Sequence, residues 1–321
     1  MDKLIAAKSE PLWNTNNKVI SIIVGLVALL FALPLVGLNS FYLHLFIMIF
    51  MHAVMAQSWN VIAGFSGQIS LGHGAFFGIG AYATSFFYME YGITPWISIF
   101  FGMFISGVFA VLIGIPMLRL SGHYFAIATL LIGISFQVVF QRWDLVGAAS
   151  GLWVTMTPED SWIALQFHKS KLPYYYIFLV FFLISFFAVW VLSRSKLGYR
   201  LRAVRDDPQA ALSLCINVSN YKIIAYVISA MIMAPMGSLF AQYILIIDPD
   251  RVFNIEISII VCLNASKSSS QIFYRQYFHL CFFLSKISLG MKEMSPFGLN
   301  TQMIIKINPY KIKSTAPPVP P

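Results

Sequence analysis

Between Gln57 and Tyr82 the chain reads QSWNVIAGFSGQISLGHGAFFGIGAY, and this stretch restricts the fold more tightly than any other. Its hydroxyl, amide and imidazole side chains are too polar to face lipid, yet its apolar content is too high for a loop in water. Polar or irregular backbone at membrane depth persists where protein or a water-filled path satisfies it. The segment therefore belongs inside a helical membrane bundle. Gly64, Gly67, Gly72, Gly74, Gly78 and Gly80 leave little side chain to hold neighbours away, and Gly74-xxx-Gly78 makes a packing face. Gln57, Ser58, Asn60, Ser66, Gln68, Ser70 and His73 supply donors and acceptors that need partners from protein, water or a solute. Two readings stand side by side. Either these groups bond one another across helix contacts, or they line a path or gate, with Gln57, Asn60, Ser66, Gln68, Ser70 and His73 as the candidates.

Composition places the whole chain in the same class. Charged residues make up 10% and hydrophobic ones 59%, with a mean hydropathy of +0.77, against ~25% charged in a soluble domain. Residues 260–321 carry seven basic groups and one acidic one, which is +6 of the net +9. The basic balance is thus a property of the C-terminal stretch, and without a basic stripe interleaved with exposed aromatics no nucleic-acid partner is implied. Cys215, Cys262 and Cys281 are odd in number and lack metal-ligand spacing, so neither a disulfide framework nor a metal site is expected.

An all-α polytopic membrane protein follows, with about seven transmembrane helices, a Gly-rich intramembrane segment and short cytoplasmic helices. After a polar cytoplasmic segment at 1–18, spans are expected at Val19–Leu38, Phe41–Val61, Ala75–Met89, Trp96–Leu118, Tyr124–Phe140, Tyr174–Leu192 and Tyr221–Ile247. Each apolar run approaches the ~20 residues that cross a bilayer. The first run exceeds a signal-peptide core and lacks a clean cleavage site, which makes it an uncleaved span. Residues 19–259 form one transmembrane domain. Arg194, Lys196, Arg200, Arg202 and Arg205 lie close to a span end and place the 193–220 loop in the cytoplasm, with Gln141–Pro173 outside. Within that loop Asp207 and Pro208 read as a helix start, aspartate as N-cap and proline at the first helical position. A short helix then carries Ala210, Ala211, Leu214 and Cys215, and Gly198–Arg205 forms another, with Leu201 and Val204 on one side. On its own, such a basic loop equally fits a site for anionic lipid.

Three stretches resemble a known family. SWNVIAGFSGQISLGHGAFFGIGAY, LRLSGHYFAIATLLIGISFQ and SRSKLGYRLRAVRDDPQAALSLCINVSNYK are similar to segments of the LivM-type permease subunit of branched-chain amino acid ABC transporters, and the likeness runs from about Asn60 to Ser258. It implies a permease working with a second permease subunit, two ABC ATPase subunits that hold ATP and Mg, and an extracytoplasmic amino-acid-binding protein. The bacterial plasma (inner) membrane is the implied location. It also implies that the 193–220 loop docks on an ATPase, with Arg202, Arg205, Asp206, Asp207, Ala210 and Ala211 as coupling candidates. The chain departs from the pattern at Ala148-Ala149-Ser150, where Thr-Gly-Gly is usual, at Pro235, where the family has a small residue, and at Cys215, which stands in place of glycine before Ile-Asn-Val.

Catalytic motifs are missing. There is no Gly-x4-Gly-Lys-Ser/Thr phosphate loop, no His-Glu-x2-His helix and no Gly-x-Ser-x-Gly elbow. The expected protein is a transporter subunit rather than an enzyme, with no catalytic residues, cofactor or metal of its own. Leucine, isoleucine or valine is the implied cargo; a permease for urea or another small polar solute is the alternative. A self-sufficient secondary transporter or channel is a different class, and the predicted spans, which hold histidines but essentially no Asp, Glu, Lys or Arg beyond Lys222 at the start of one, tell against proton coupling. From Ile260 the sequence changes character, ending in Lys-rich polar sequence and APPVPP. The expectation there is an atypical tail at 260–321, disordered or frameshifted.

Overall fold

A computed structural model describes residues 25–266 except Leu26, Leu38, Ser121 and Pro158, all within the unit that ends at Lys267. The segment at 1–18, the start of the first expected span and the tail from Lys267 onward lie outside the described residues. Helix α1, Ser40–Asn60, runs without a break into a π-turn at Val61–Phe65. After an irregular stretch come α2 (Gly74–Tyr91), α3 (Pro95–Met117) and α4 (His123–Arg142). A long connection leads to α5 (Leu172–Arg194), followed by two short helices, α6 (Lys196–Asp206) and α7 (Pro208–Ser213). The long α8 (Val218–Ile244), the single turn α9 (Pro249–Val252) and α10 (Ile255–Ser266) complete the described chain. Helix α10 continues through residue 260, the position at which the sequence alone changes character.

Among the described residues the fold is all-α apart from a two-residue antiparallel ladder, Leu152–Trp153 (β1) against Ile246–Ile247 (β2), and an isolated bridge between Ser161 and Gln166. Five helical segments among the described residues are long and apolar enough to cross a membrane: Ser40–Phe65, α3, α4, α5 and α8. The chain is a multi-pass membrane protein. Two of the seven expected spans are absent from that set for different reasons. The run at Val19–Leu38 is described only in part. Helix α2 is present, but glycine, alanine and hydroxyl residues are interspersed among its phenylalanines, and most of it is buried from Gly74 to Ser85. A helix wrapped by other helices does not need a lipid-compatible surface, so its hydropathy stays low.

Close backbone approach explains that burial. Gly237 of α8 lies against the carbonyl of Phe77, where a Cβ would come within 1.8 Å of the oxygen, and Gly80 of α2 lies against the carbonyl of Ala234, where the distance would be 2.2 Å. The gap is bridged by Ser238, whose Oγ donates to the Gly80 carbonyl at 3.0 Å and accepts from Thr84 Oγ1 at 2.7 Å. Small residues with hydroxyl bridges are what helix contacts in lipid favour, because dispersion and hydrogen bonding replace the hydrophobic effect there. The Gly74 and Gly78 face is also occupied: Ser258 Oγ accepts from the Gly74 N–H at 2.9 Å, and a Cβ at Gly78 would meet the Phe253 ring at 2.2 Å. Helix α3 covers α2 and α8 and turns Phe100, Phe104 and Leu112 outward, as a lipid-facing helix should.

The connection between α4 and α5 is folded. Gln166 is fully buried; its Oε1 accepts from the Thr157 N–H at 2.8 Å and its Nε2 donates to the Thr155 carbonyl at 3.0 Å. Tyr174 Oη donates to the carbonyls of Leu165 and Gln242, both at 3.0 Å, tying this connection to α8. Trp96, at the start of α3, donates from Nε1 to the Trp162 carbonyl at 2.8 Å.

Gly237→Ala is expected to destabilise the bundle by ~1–3 kcal/mol or more through overpacking, seen as a sharp fall in membrane abundance. Gly107→Ala is the matched control. A Cβ there meets Met231 Cγ at an ordinary 3.4 Å, so abundance should stay near wild type.

Candidate functional site

Helices α1 and α8 and the stretch between the π-turn and α2 meet in a buried polar chain. Ser229 Oγ donates to the Ser58 carbonyl at 2.6 Å, and Ser58 Oγ donates back to the Ser229 carbonyl at 2.7 Å. His73 Nε2 is 2.6 Å from Ser229 Oγ, and its Nδ1 is 2.9 Å from Ser70 Oγ. With the Ser229 proton committed to Ser58, the Nε2–H donates to Ser229, and a neutral ring then accepts the Ser70 hydroxyl at Nδ1. Trp59 Nε1 donates to the Ser70 carbonyl at 2.7 Å, which fixes the backbone of the same turn. Rings of Phe76 and Tyr226 stand edge-on to the imidazole at 5.8 and 6.0 Å.

The six residues singled out from the sequence divide. Ser70 and His73 join the chain just described. Gln57 is separate, its Oε1 accepting from Ser185 Oγ of α5 at 2.8 Å. Ser66 closes on its own helix, donating to the Ile62 carbonyl at 2.7 Å. Asn60 Oδ1 and Gln68 Oε1 are buried and have no hydrogen-bond partner. The cluster thus holds both bonded groups and groups left open, and the open ones flank the π-turn. Single π-turns inside helices occur frequently at functional sites.

Sequence reasoning passed over Ser229, a lone serine in a long apolar helix, and the double part played by Thr129. Thr129 Oγ1 donates to the Ala126 carbonyl of its own helix at 2.8 Å and accepts the Leu71 N–H at 3.0 Å. A Cβ at Gly72 would stand 2.0 Å from the Thr129 carbonyl, so α4 braces the irregular stretch directly. No local signal announced this contact, because Thr129 and Leu71 lie 58 residues apart in the chain.

The two short helices α6 and α7 form as their sequence dictates. Asp207 caps α7, its Oδ1 accepting from the N–H groups of Gln209 and Ala210 at 2.9 and 3.1 Å. Leu201 and Val204 bury one side of α6. Cys215 does not prevent the turn that follows α7: it takes φ 59°, and the Ile216 N–H bonds the Ala211 carbonyl at 3.0 Å.

Of the coupling candidates, Arg202 and Arg205 turn toward the bundle. Arg205 Nη1 donates to the Gly64 carbonyl at 2.8 Å, and its Nε and Nη2 donate to Asp206 Oδ1 at 2.9 and 2.7 Å. Arg202 donates from Nη2 to the Ser193 carbonyl and lies over the Phe65 ring at 5.7 Å. Burial pulls its pKa below the ordinary arginine value, and the group stays charged at neutral pH. Asp206, Asp207 and Ala210 are exposed, Ala211 is buried, and Leu212 and Leu214 next to them are 59% and 73% exposed.

The model of the branched-chain amino acid transport system / permease component family matches residues 41–263. The chain belongs to that family. It is similar to the high-affinity branched-chain amino acid transport system permease protein LivM of Salmonella typhimurium, 28% identical over 217 residues that cover 60% of this chain and 51% of the relative. LivM of Escherichia coli is 28% identical over 59% of the chain and 50% of the relative. The nucleoside ABC transporter permease protein NupC of Lactococcus lactis is 28% identical over 56% and 60%. The chain spans about half the length of the LivM relatives it matches. No solved structure matches it. The matched region contains the polar chain, the π-turn and the short helices α6 and α7, and the family is the one that the three sequence stretches resemble. Its relatives are permease subunits of transporters.

Two substitutions probe this geometry. Ser229→Ala leaves His73 Nε2–H without its acceptor and should cost ~1–3 kcal/mol, measured as a lower melting temperature of the purified chain, whereas Ser66→Ala should change it little. Cys215→Gly relieves the left-handed backbone and should raise stability by ~1 kcal/mol.

Proposed function

We propose that the chain is the membrane-spanning permease of an ATP-driven importer for leucine, isoleucine and valine in the bacterial inner membrane. It pairs with a second permease, two ATPase subunits carrying ATP and Mg, and an external binding protein. The observation that carries this reading is the contact between α6 and the end of the first span. A helix of the loop that the family resemblance assigns to ATPase docking holds, through Arg205, the segment bearing the open polar groups Asn60 and Gln68. Work done at one site therefore has a direct path to the other. The exposed Leu212 and Leu214 beside α7 provide the apolar surface on which an ATPase would seat.

The cargo is argued from the two LivM relatives, and NupC supports a second reading in which a nucleoside is carried. Selection between them falls to the binding protein in the assembly proposed. The absence of Asp, Glu, Lys and Arg from the middle of the spans supports coupling to ATP rather than to protons.

Uptake of labelled leucine and of labelled uridine should be compared in cells that lack their own systems and co-express the chain with its candidate partners. Leucine uptake that falls at least tenfold in Gln68→Ala, at unchanged membrane abundance and ATPase association, is the expected result. Uridine uptake alone transfers the reading to nucleosides, and uptake that falls only in step with abundance assigns Gln68 to packing. Orientation has its own check. In a background lacking Cys262 and Cys281, an impermeant thiol reagent on intact cells should label Glu159→Cys and leave the exposed Cys215 unlabelled until the membrane is opened; the reverse pattern inverts the topology.

A further inference from the structure

Two sets of hydrogen bonds compete for the turn that ends the first span. In an α-helix the Gln68 N–H would bond the Gly64 carbonyl, four residues back. Here it reaches past Gly64 to the Ile62 carbonyl at 3.4 Å, an oxygen that already accepts the Ser66 hydroxyl at 2.7 Å and the Ser66 N–H. A carbonyl oxygen offers two lone pairs, so three donors there share poor geometry. Meanwhile Arg205 Nη1 takes the Gly64 carbonyl at 2.8 Å from a helix 141 residues further along the chain.

Both alternatives are open to this backbone. Gly67 sits at φ 72°, and glycine moves between that conformation and the helical one without steric penalty. The aliphatic stem of Arg205 rests on the same turn, its Cγ 2.9 Å from where a Gly67 Cβ would lie, and Asp206 holds the guanidinium in place. The guanidinium makes a charge-assisted bond, roughly twice as strong as a neutral one, and with the stem of Arg205 packed on Gly67 the turn is held where the Gln68 N–H meets Ile62 rather than Gly64.

We propose that Arg205 is a latch selecting between two hydrogen-bond registers of residues 61–68. With Arg205 on the Gly64 carbonyl, the π-turn persists and Asn60 Oδ1 and Gln68 Oε1 stay open. With Arg205 withdrawn, the Gln68 N–H returns to Gly64, the turn rewinds as α-helix, and the Gln68 side chain moves to another face. The latch deepens the permease reading and rests on it for its part in transport: movement of α6 sets the register, and the register sets where Gln68 points. Arg205 is on this account a positioning residue.

The test is hydrogen–deuterium exchange on the full chain in lipid nanodiscs. Arg205→Ala should slow exchange at Gln68 about fivefold or more, because a long shared bond gives way to an ordinary one, while peptides from 218–244 remain unchanged. Arg205→Lys, which keeps a donor of similar reach, should stay near wild type. Gly67→Ala disfavours the left-handed turn and displaces the Arg205 stem, and should reproduce the slowing by a second route. Unchanged or faster exchange at Gln68 in Arg205→Ala and Gly67→Ala overturns the latch, since a plain cap would fray when lost. The measurement needs no solute. Failed leucine uptake beside the expected exchange pattern therefore counts against the permease reading, and the reverse counts against the latch.

Discussion

Everything in this bundle depends on the backbone contact between the helices Gly74–Tyr91 and Val218–Ile244. Gly80 and Gly237 each admit the other helix's carbonyl where any Cβ would collide. Once these two helices lie that close, Ser229 falls level with His73 and Ser58, and Ser238 level with Gly80 and Thr84. In lipid there is no hydrophobic pressure to force such an approach. It is held because each close contact is paired with a hydroxyl that supplies a hydrogen bond.

That arrangement gives the polar residues two different fates. Ser58, Ser70, His73 and Ser229 are bonded in one continuous chain, whereas the side chains of Ser85 and Gln242 on the same two helices are buried without a partner. Those beside the π-turn, Asn60 and Gln68, are buried with an oxygen unpartnered. An unpaired buried carbonyl costs free energy, and a fold that keeps two of them at the one irregular point of a span holds that point ready for a second arrangement. Of the two readings offered by the sequence, bonding across helix contacts describes Ser70 and His73, and a path or gate at Asn60 and Gln68 belongs to the proposal.

The legible features were local ones. Asp207 followed by Pro208 defines a cap and a helix start within four residues, and the structure shows that cap. The Gly74 and Gly78 face is a spacing rule, and it is filled by Phe253 and Ser258. The illegible features join residues distant in sequence: Ser229 to His73, Thr129 to Leu71, Arg205 to Gly64. Nothing in the composition around Ser229 distinguishes it from a serine bonded to its own helix, as Ser66 and Ser135 are. Hydropathy misjudges Gly74–Tyr91 for a related reason, since it measures suitability for lipid and this helix mostly meets protein.

The five spans carry their charges, Arg142, Arg194 and Lys222, towards their ends, leaving hydroxyls, amides and imidazoles in between. A transmembrane voltage does work on moving charge, ~2.3 kcal/mol per elementary charge per 100 mV. Helices whose middle sections hold none can shift, rewind or tilt with almost no electrical work. The bundle's conformational balance is thereby insulated from the membrane potential, and a cell whose potential collapses would still find these helices free to move.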